Sequence, residues 1–122
     1  MKTRRDQARP YVTKDGSVIR ELFHPAQHGG GAMSLAEATL PAGRETLPHL
    51  HADSEELYVL SGRGSMRLES RTYELAPGDT VRIRPGELHW VVNPGEEDLV
   101  FLCLCHPPYS HRDTELEEGA AG

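Results

Sequence analysis

Apolar residues along the chain fall in short runs that turn signals separate. "SMRLE" (65–69) and "TVRIR" (80–84) alternate apolar and polar residues, which is the period of a half-buried strand. "ELYVL" (56–60) and "LVFLCLC" (99–105) are continuously apolar, as in strands that are covered on both faces. Turns are indicated between such runs at Gly62 to Gly64, Pro77–Gly78, Pro85–Gly86 and Pro94–Gly95. Many short strands at spacings of about 8–12 residues predict an all-β sandwich or barrel.

The chain divides into one barrel with an arm and a tail. A length of 122 residues suits a single domain. We expect an N-terminal arm with an edge strand or loop over 1–30, the barrel over 31–108 and a tail over 109–122 whose end is disordered. "SLAEATL" (34–40) fits a short helix or a strand, and its position before a turn and a strand favours the strand.

Composition narrows the classes of partner. The formal net charge is −6 and the basic residues are scattered, which argues against nucleic acid or an anionic membrane as a partner. No apolar run approaches the roughly 20 residues of a membrane span, and no secretory signal follows the basic start. Cys103 and Cys105 point the same way in a strand, so we expect reduced thiols and a cytoplasmic protein.

Two histidines and two glutamates stand together in "TLPHLHADSEELYVLSG" (46–62). His49 and His51 share one face of a strand. If the polar break that follows forms a hairpin, a three-residue loop sets Glu55 opposite His51. A four-residue loop sets Glu56 there instead, because one step of register reverses the face.

Such a cluster is costly to bury without a compensating cation. Imidazole and carboxylate together suit iron, manganese, nickel, zinc or copper. His89, which follows the Pro85–Gly86 turn, is the candidate for a third imidazole. The sequence therefore predicts one divalent transition metal.

Two motifs resemble those of the cupin family, in particular its small single-domain members. The first motif matches at Gly43, His49, His51, Glu55 and Gly62, and its six-residue gap before the last glycine selects Glu55 over Glu56. The second matches at Gly78, Gly86, His89 and Asn93, and departs where Arg84 replaces a proline. The resemblance covers roughly residues 35–105.

The resemblance implies a double-stranded β-helix (jelly-roll) barrel. It also implies one metal inside the barrel, held by His49, His51, Glu55 and His89. Small members of the family often pair, so a homodimer is expected. The resemblance indicates the fold much more strongly than the reaction, because this fold carries many chemistries.

Other residues are candidates for contact with a small-molecule substrate. For Tyr58 and Phe101 packing in the core or at a dimer interface is the favoured role, and for Cys103 it is apolar filling of the last strand; contact with a substrate is the alternative for all three. The segment "CHPPYSHRDTEL" (105–116) either stays on the surface or folds over the barrel mouth. The sequence assigns no catalytic residue, and candidates for a base are Glu56, Tyr109 and His111.

Three functions fit these residues. Four protein ligands leave two positions open on an octahedral metal, as a catalytic site requires. Our first expectation is an Fe(II)-type dioxygenase acting on a small organic molecule. The alternatives are a metal-dependent sugar or sugar-acid isomerase or lyase, and a cupin that binds a small molecule without turnover.

Overall fold

The computed structural model describes residues 1–117, and strands dominate it. A 3₁₀ helix spans Arg5–Gln7 and a single α-helical turn, α1, spans Pro25–His28. The strands are β1 (Tyr11–Val12), β2 (Val18–Phe23), β3 (Ser34–Leu40), β4 (His49–His51), β5 (Glu55–Leu60), β6 (Gly64–Leu68), β7 (Thr72–Leu75), β8 (Thr80–Ile83), β9 (His89–Val92), β10 (Leu99–His106) and β11 (Thr114–Leu116).

The strands form two antiparallel sheets. The order is β1-β2-β3-β10-β5-β8 in the six-stranded sheet and β11-β4-β9-β6-β7 in the five-stranded sheet. Strands that follow one another in the chain often lie in different sheets, as β4 and β5 do. This is the topology of a jelly roll, and it confirms the predicted all-β class.

Alternation along each strand sends every second side chain between the sheets. In β3 and β10 buried residues alternate regularly with half-buried ones, so "SLAEATL" is a strand, as predicted. The buried apolar side chains include Leu40, Met66, Ile83, Leu99 and Phe101. They fill one part of the space between the sheets, and polar residues fill the rest.

Both ends of the described chain join the sheets. Strands β1 and β2 extend the six-stranded sheet beyond β3, and β11 pairs with β4 at an edge of the five-stranded sheet. Thus part of the segment predicted as a tail is a strand, and the prediction of a disordered end falls on residues 118–122, outside the described ones. Among residues 1–117, no helix combines the length and the apolarity that a membrane crossing needs.

The turn at Pro85–Gly86 brings the two halves of the site together. Gly86 adopts a φ of 79°, a left-handed conformation that favours glycine. Its N–H donates to the carbonyl of His51 over 2.7 Å. This bond fixes the loop before β9 beside the end of β4, where the two sequence motifs meet.

Candidate metal centre

Three histidines converge from two neighbouring strands of the five-stranded sheet. His49 and His51 are the two inward residues of β4, and His89 on β9 is the register partner of His49. The ring centroids of His49 and His89 lie 4.3 Å apart, and those of His49 and His51 lie 5.1 Å apart. All three rings are buried, so the predicted convergence of these side chains is present in the fold.

The carboxylate of Glu56 reaches the histidines from the opposite sheet. Its Oε1 lies 3.2 Å from Nε2 of His51 and 3.5 Å from Nε2 of His89. One ligand atom from each of His49, His51, Glu56 and His89 lies within 4.8 Å of every other. Both sheets therefore contribute to one buried cluster that could hold a metal ion.

The predicted carboxylate, Glu55, lies outside the cluster. Its side chain is 38% exposed, and its Oε2 accepts from Nη2 of Arg82 over 2.9 Å. The prediction of Glu55 was wrong because β4 and β5 belong to different sheets and form no hairpin. Inward residues of β5 are Glu56, Tyr58 and Leu60. The sequence did carry a signal for Glu56, because it lies on the same face of the strand as Tyr58 and Leu60. The motif spacing selected the neighbouring residue instead.

Hydrogen bonds at Nδ1 fix the tautomer of each imidazole. His49 Nδ1 lies 3.0 Å from the carbonyl of Leu47, and His89 Nδ1 lies 2.9 Å from that of Glu87. A carbonyl only accepts, so each Nδ1 carries a proton. His51 Nδ1 faces Oγ1 of Thr114 over 3.0 Å, and this hydroxyl donates to the carbonyl of Ser110. It therefore accepts from Nδ1, and in the neutral rings all three Nε2 atoms offer lone pairs.

A hydrogen bond also orients the carboxylate of Glu56. The thiol of Cys105 donates to Oε2 over 3.2 Å, which leaves Oε1 facing the histidines. Three Nε2 lone pairs and a carboxylate oxygen repel one another unless a cation or protons lie between them. Imidazole and carboxylate donors with oriented second atoms fit a divalent transition metal.

Burial and proximity shift the titration of these groups. Burial, together with the nearby His89, lowers the pKa of His49 to about 4. Burial alone would lower the pKa of His51, but the hydrogen bond to Glu56 outweighs it and raises that pKa. Burial alone would raise the pKa of Glu56, but hydrogen bonds to His51 and His89 hold it well below its usual range. Both shifts favour an ionised Glu56 paired with a protonated His51.

Three members of the cluster, His49, His51 and Glu56, line a cavity of about 40 Å³ between the sheets. The three predicted substrate residues, Tyr58, Phe101 and Cys103, all line this cavity. The hydroxyl of Tyr58 lies 3.2 Å from Nε2 of His89, and its ring stacks on Phe101 with centroids 5.2 Å apart. Contact of these residues with a substrate stays a prediction.

Sequence reasoning missed cavity residues from both ends of the chain, among them Asp15, Glu21 and Thr114, and it named Tyr109 only as a candidate base. Asp15 and Glu21 line the cavity from the N-terminal segment, and Oδ2 of Asp15 lies 3.7 Å from Nε2 of His49. Tyr109 and Thr114 line the cavity from the segment 105–116. This segment therefore folds over the barrel. No local signal marks Glu21, because only the pairing of β2 with β3 brings it to the barrel.

Comparisons with known proteins agree with this architecture. The family model described as "Cupin domain" matches residues 36–105. Uncharacterized protein MJ1618 of Methanocaldococcus jannaschii is 50% identical over 119 residues, which cover 97% of this chain and 95% of that protein.

Two more distant matches carry functional names. L-ectoine synthase of Bordetella parapertussis is 28% identical over 110 residues, covering 88% of this chain and 82% of the synthase. The structure of the polyketide cyclase RemF from Streptomyces resistomycificus superimposes with a TM-score of 0.75 at 25% identity, covering 87% of this chain and 78% of RemF.

Proposed function

The chain belongs to the cupin family, and from this premise we propose that it is a metal-dependent lyase or isomerase that moves protons on a small organic molecule. This is the second of the functions that the sequence predicts, and we now place it before the dioxygenase. The reasons are the donor set, the proton-carrying groups beside it and the names of the relatives.

One observation supports the proposal above the others. His49, His51, Glu56 and His89 present four ligand atoms within 4.8 Å of one another, and each histidine is held through its Nδ1. Such pre-orientation is typical of metal ligands, whose second nitrogen usually donates to a carbonyl, carboxylate or hydroxyl. When bound, the metal would supply a Lewis acid with positions open to substrate oxygen atoms.

Two phenols in the cavity are able to hold and give protons. Burial raises the pKa of Tyr58 and, to a lesser extent, that of Tyr109, so both are neutral O–H donors near neutral pH. Tyr58 is placed beside His89, where a substrate oxygen at the metal would accept its hydrogen bond. Tyr109 contacts Nδ1 of the exposed His111 over 2.9 Å, a link between cavity and solvent along which a proton can pass.

The named relatives favour proton-transfer chemistry. One is called L-ectoine synthase and one a polyketide cyclase, and neither name denotes an oxygenase. The Fe(II)-type dioxygenase is kept as the second candidate because three imidazoles and one carboxylate also suit iron. The non-catalytic binding function is distinguished from both by turnover.

The remaining expectations are also proposals. Two buried, unpaired cysteines, Cys103 and Cys105, support a reducing compartment such as the cytoplasm. The expected homodimer rests on the resemblance to small cupins, and light scattering of the eluted protein checks it.

The test separates the two reactions by their use of oxygen. Protein is purified without an affinity tag, its metal is identified by elemental analysis, and it is then loaded anaerobically with Fe(II), Mn(II) or Zn(II). A library of hydroxy ketones, polyols and amino alcohols is incubated with each form in D₂O, both without and with oxygen, and followed by NMR. Glu56→Gln serves as the metal-site variant and Glu55→Gln as its matched control.

We expect deuterium incorporation or a rearranged product without oxygen, and its loss in Glu56→Gln but not in Glu55→Gln. Reaction that occurs only with Fe(II) and consumes oxygen would contradict the proposal and favour the dioxygenase. Failure of all three metals to bind at a one-to-one ratio would contradict both functions.

A further inference from the structure

A carboxylate in the cavity wall has one oxygen without a partner. Glu21 on β2 is 9% exposed, and its Oε1 accepts from the hydroxyl of Tyr11 over 2.7 Å. Its Oε2 is buried and has no hydrogen-bond donor, which holds for no other buried side-chain nitrogen or oxygen in the described part of the chain. Buried polar atoms in folded proteins are nearly always paired, so this oxygen is a place where a ligand donor belongs.

The strand itself directs Glu21 into the cavity. Ile19 and Glu21 are the buried residues of β2, so a carboxylate occupies a position where the alternation expects an apolar side chain. The pairing of β2 with β3 shifts register between Glu21 and Phe23, an irregularity of the kind that re-aims side chains near functional sites.

Small side chains lie between Glu21 and the metal cluster. Across the six-stranded sheet, Glu21 pairs with Ala36, Ala36 with Cys103, and Cys103 with Tyr58. Three strand spacings separate the backbones of Glu21 and Tyr58 by about 14 Å. Ala36 and Cys103 fill little of this interval, which leaves a narrow trough with a polar group at each end.

The same carboxylate lies at the mouth of the cavity. Tyr11, Glu21 and Tyr109 line both the inner cavity and a groove on the outside that also contacts His24 and His111. The inner cavity has room for roughly three water molecules at 40 Å³. A ligand that reaches the metal must therefore extend past Glu21 toward the groove.

The negative charge of the cavity wall favours a positively charged hydrogen-bond donor on the ligand. Among the described residues that line the cavity there are three carboxylates, Asp15, Glu21 and Glu56, and neither lysine nor arginine. With neutral histidines, one divalent cation leaves a negative charge uncompensated. A phosphate or a second carboxylate on the ligand would meet repulsion here, whereas a protonated amine would complete the balance.

We propose that Glu21, held by Tyr11, binds a protonated amine of the substrate while an oxygen of the same molecule occupies the metal. This inference rests on the proposed function for the position of the metal-bound end. It names a small amino alcohol or amino ketone as the class of substrate, and it makes Glu21 a residue that determines specificity.

The experiment compares probes that differ only at one end. Amino alcohols of three to five carbons are titrated into Zn(II)-loaded protein beside the diols and hydroxy acids of equal length, and binding is measured by calorimetry. We expect the amino alcohols to bind at least about tenfold more tightly than the diols, since charge-assisted hydrogen bonds are the stronger kind. The hydroxy acids should bind most weakly.

Glu21→Gln keeps the shape and removes the charge. We expect it to abolish the preference for amines with unchanged zinc content, whereas the matched control Glu55→Gln on the outer face keeps the preference. Its melting temperature without ligand should equal or exceed that of the wild type, because a buried carboxylate with one oxygen lacking a donor is replaced by a neutral amide. A lower melting temperature with an unchanged amine preference would show that Glu21 is structural and overturn the proposal.

A second variant and a measurement of zinc content distinguish failure of this proposal from failure of the metal site. If Glu21→Gln does not fold, Tyr11→Phe, which frees the carboxylate from its donor, should reduce the preference, and an unchanged preference overturns the proposal. Zinc content is measured on every sample. Full zinc loading without an amine preference overturns only the role of Glu21, whereas loss of zinc binding in the wild type overturns the metal site.

Discussion

The two faces of β5 place two adjacent glutamates, Glu55 and Glu56, in opposite environments. On the inner face Glu56 is buried beside three histidines and its register partner is Cys105. On the outer face Glu55 is partly exposed, pairs with Arg82 in solvent, and its register partner is the exposed His106. Adjacent glutamates thus differ in environment because strand parity alone decides which one enters the barrel. The surroundings of a carboxylate, more than its residue type, make it a candidate ligand.

The largest expected effect comes from removing an imidazole on the inner side. His49→Ala or His89→Ala should each lower metal affinity by more than about 100-fold, because even the groups that orient ligands typically contribute 10–100-fold. His106→Ala, on the outer face of β10, should leave the affinity unchanged. Elemental analysis of the purified variants checks both, and wild-type metal content in His89→Ala would contradict the assigned site.

The difference between the two glutamates is tested by replacing each carboxylate with a neutral amide. Glu56→Gln should weaken metal binding by roughly 100-fold, since a neutral amide replaces an anionic ligand. Glu55→Gln should have no effect on metal binding, because its side chain faces Arg82 and solvent. Competition titration with a chromophoric chelator gives both affinities, and equal losses in the two variants would refute the distinction between the faces.

Acid should release the metal, and His51 should set where the release begins. Between pH 7.5 and 5, His49, with a pKa of about 4, stays neutral and Glu56, with a lowered pKa, stays ionised. The raised pKa of His51 lets a proton compete there, so affinity should fall about tenfold per pH unit below that pKa. A flat affinity across this range would contradict the prediction. In Glu56→Gln the decline should begin at lower pH, because the group that raises the pKa is gone.

The smallest effect is expected at the hydroxyl that holds His51. Thr114→Val removes the acceptor of the Nδ1 proton and should weaken metal binding by roughly tenfold, as is usual for such partners. Thr114→Ser, which keeps the hydroxyl, serves as the control and should bind like the wild type. Equal affinity in Val and Ser variants would show that the hydrogen bond does not orient the ring.

The sequence predicted what depends on local alternation. His49 and His51 could be assigned to one face because two residues of a strand with one between them always share it. The choice of carboxylate depended on the path between β4 and β5, which cross from one sheet to the other instead of forming a hairpin. Local periodicity does not reveal that crossing. Glu56 shares its parity with Tyr58 and Leu60, but the motif spacing was followed and selected Glu55.

Long-range pairing explains the other residues that the sequence did not reveal. Glu21 enters the cavity wall only because β2 pairs with β3, and Thr114 reaches His51 only because β11 pairs with β4. Each is a polar residue that belongs to neither sequence motif. Their roles follow from neighbours that lie 15 or more positions away, namely Ala36 and His51.

The pairing of β11 with β4 also determines when the site can mature during synthesis. Thr114 follows all four ligand residues in chain order, so a ribosome has already produced His49, His51, Glu56 and His89 before the group that orients His51 exists. A nascent chain that ends before Thr114 contains all four residues of the cluster, but it lacks the hydroxyl that orients the ring of His51. Tight binding of a metal at this cluster would therefore be a late event, coupled to completion of the edge strand.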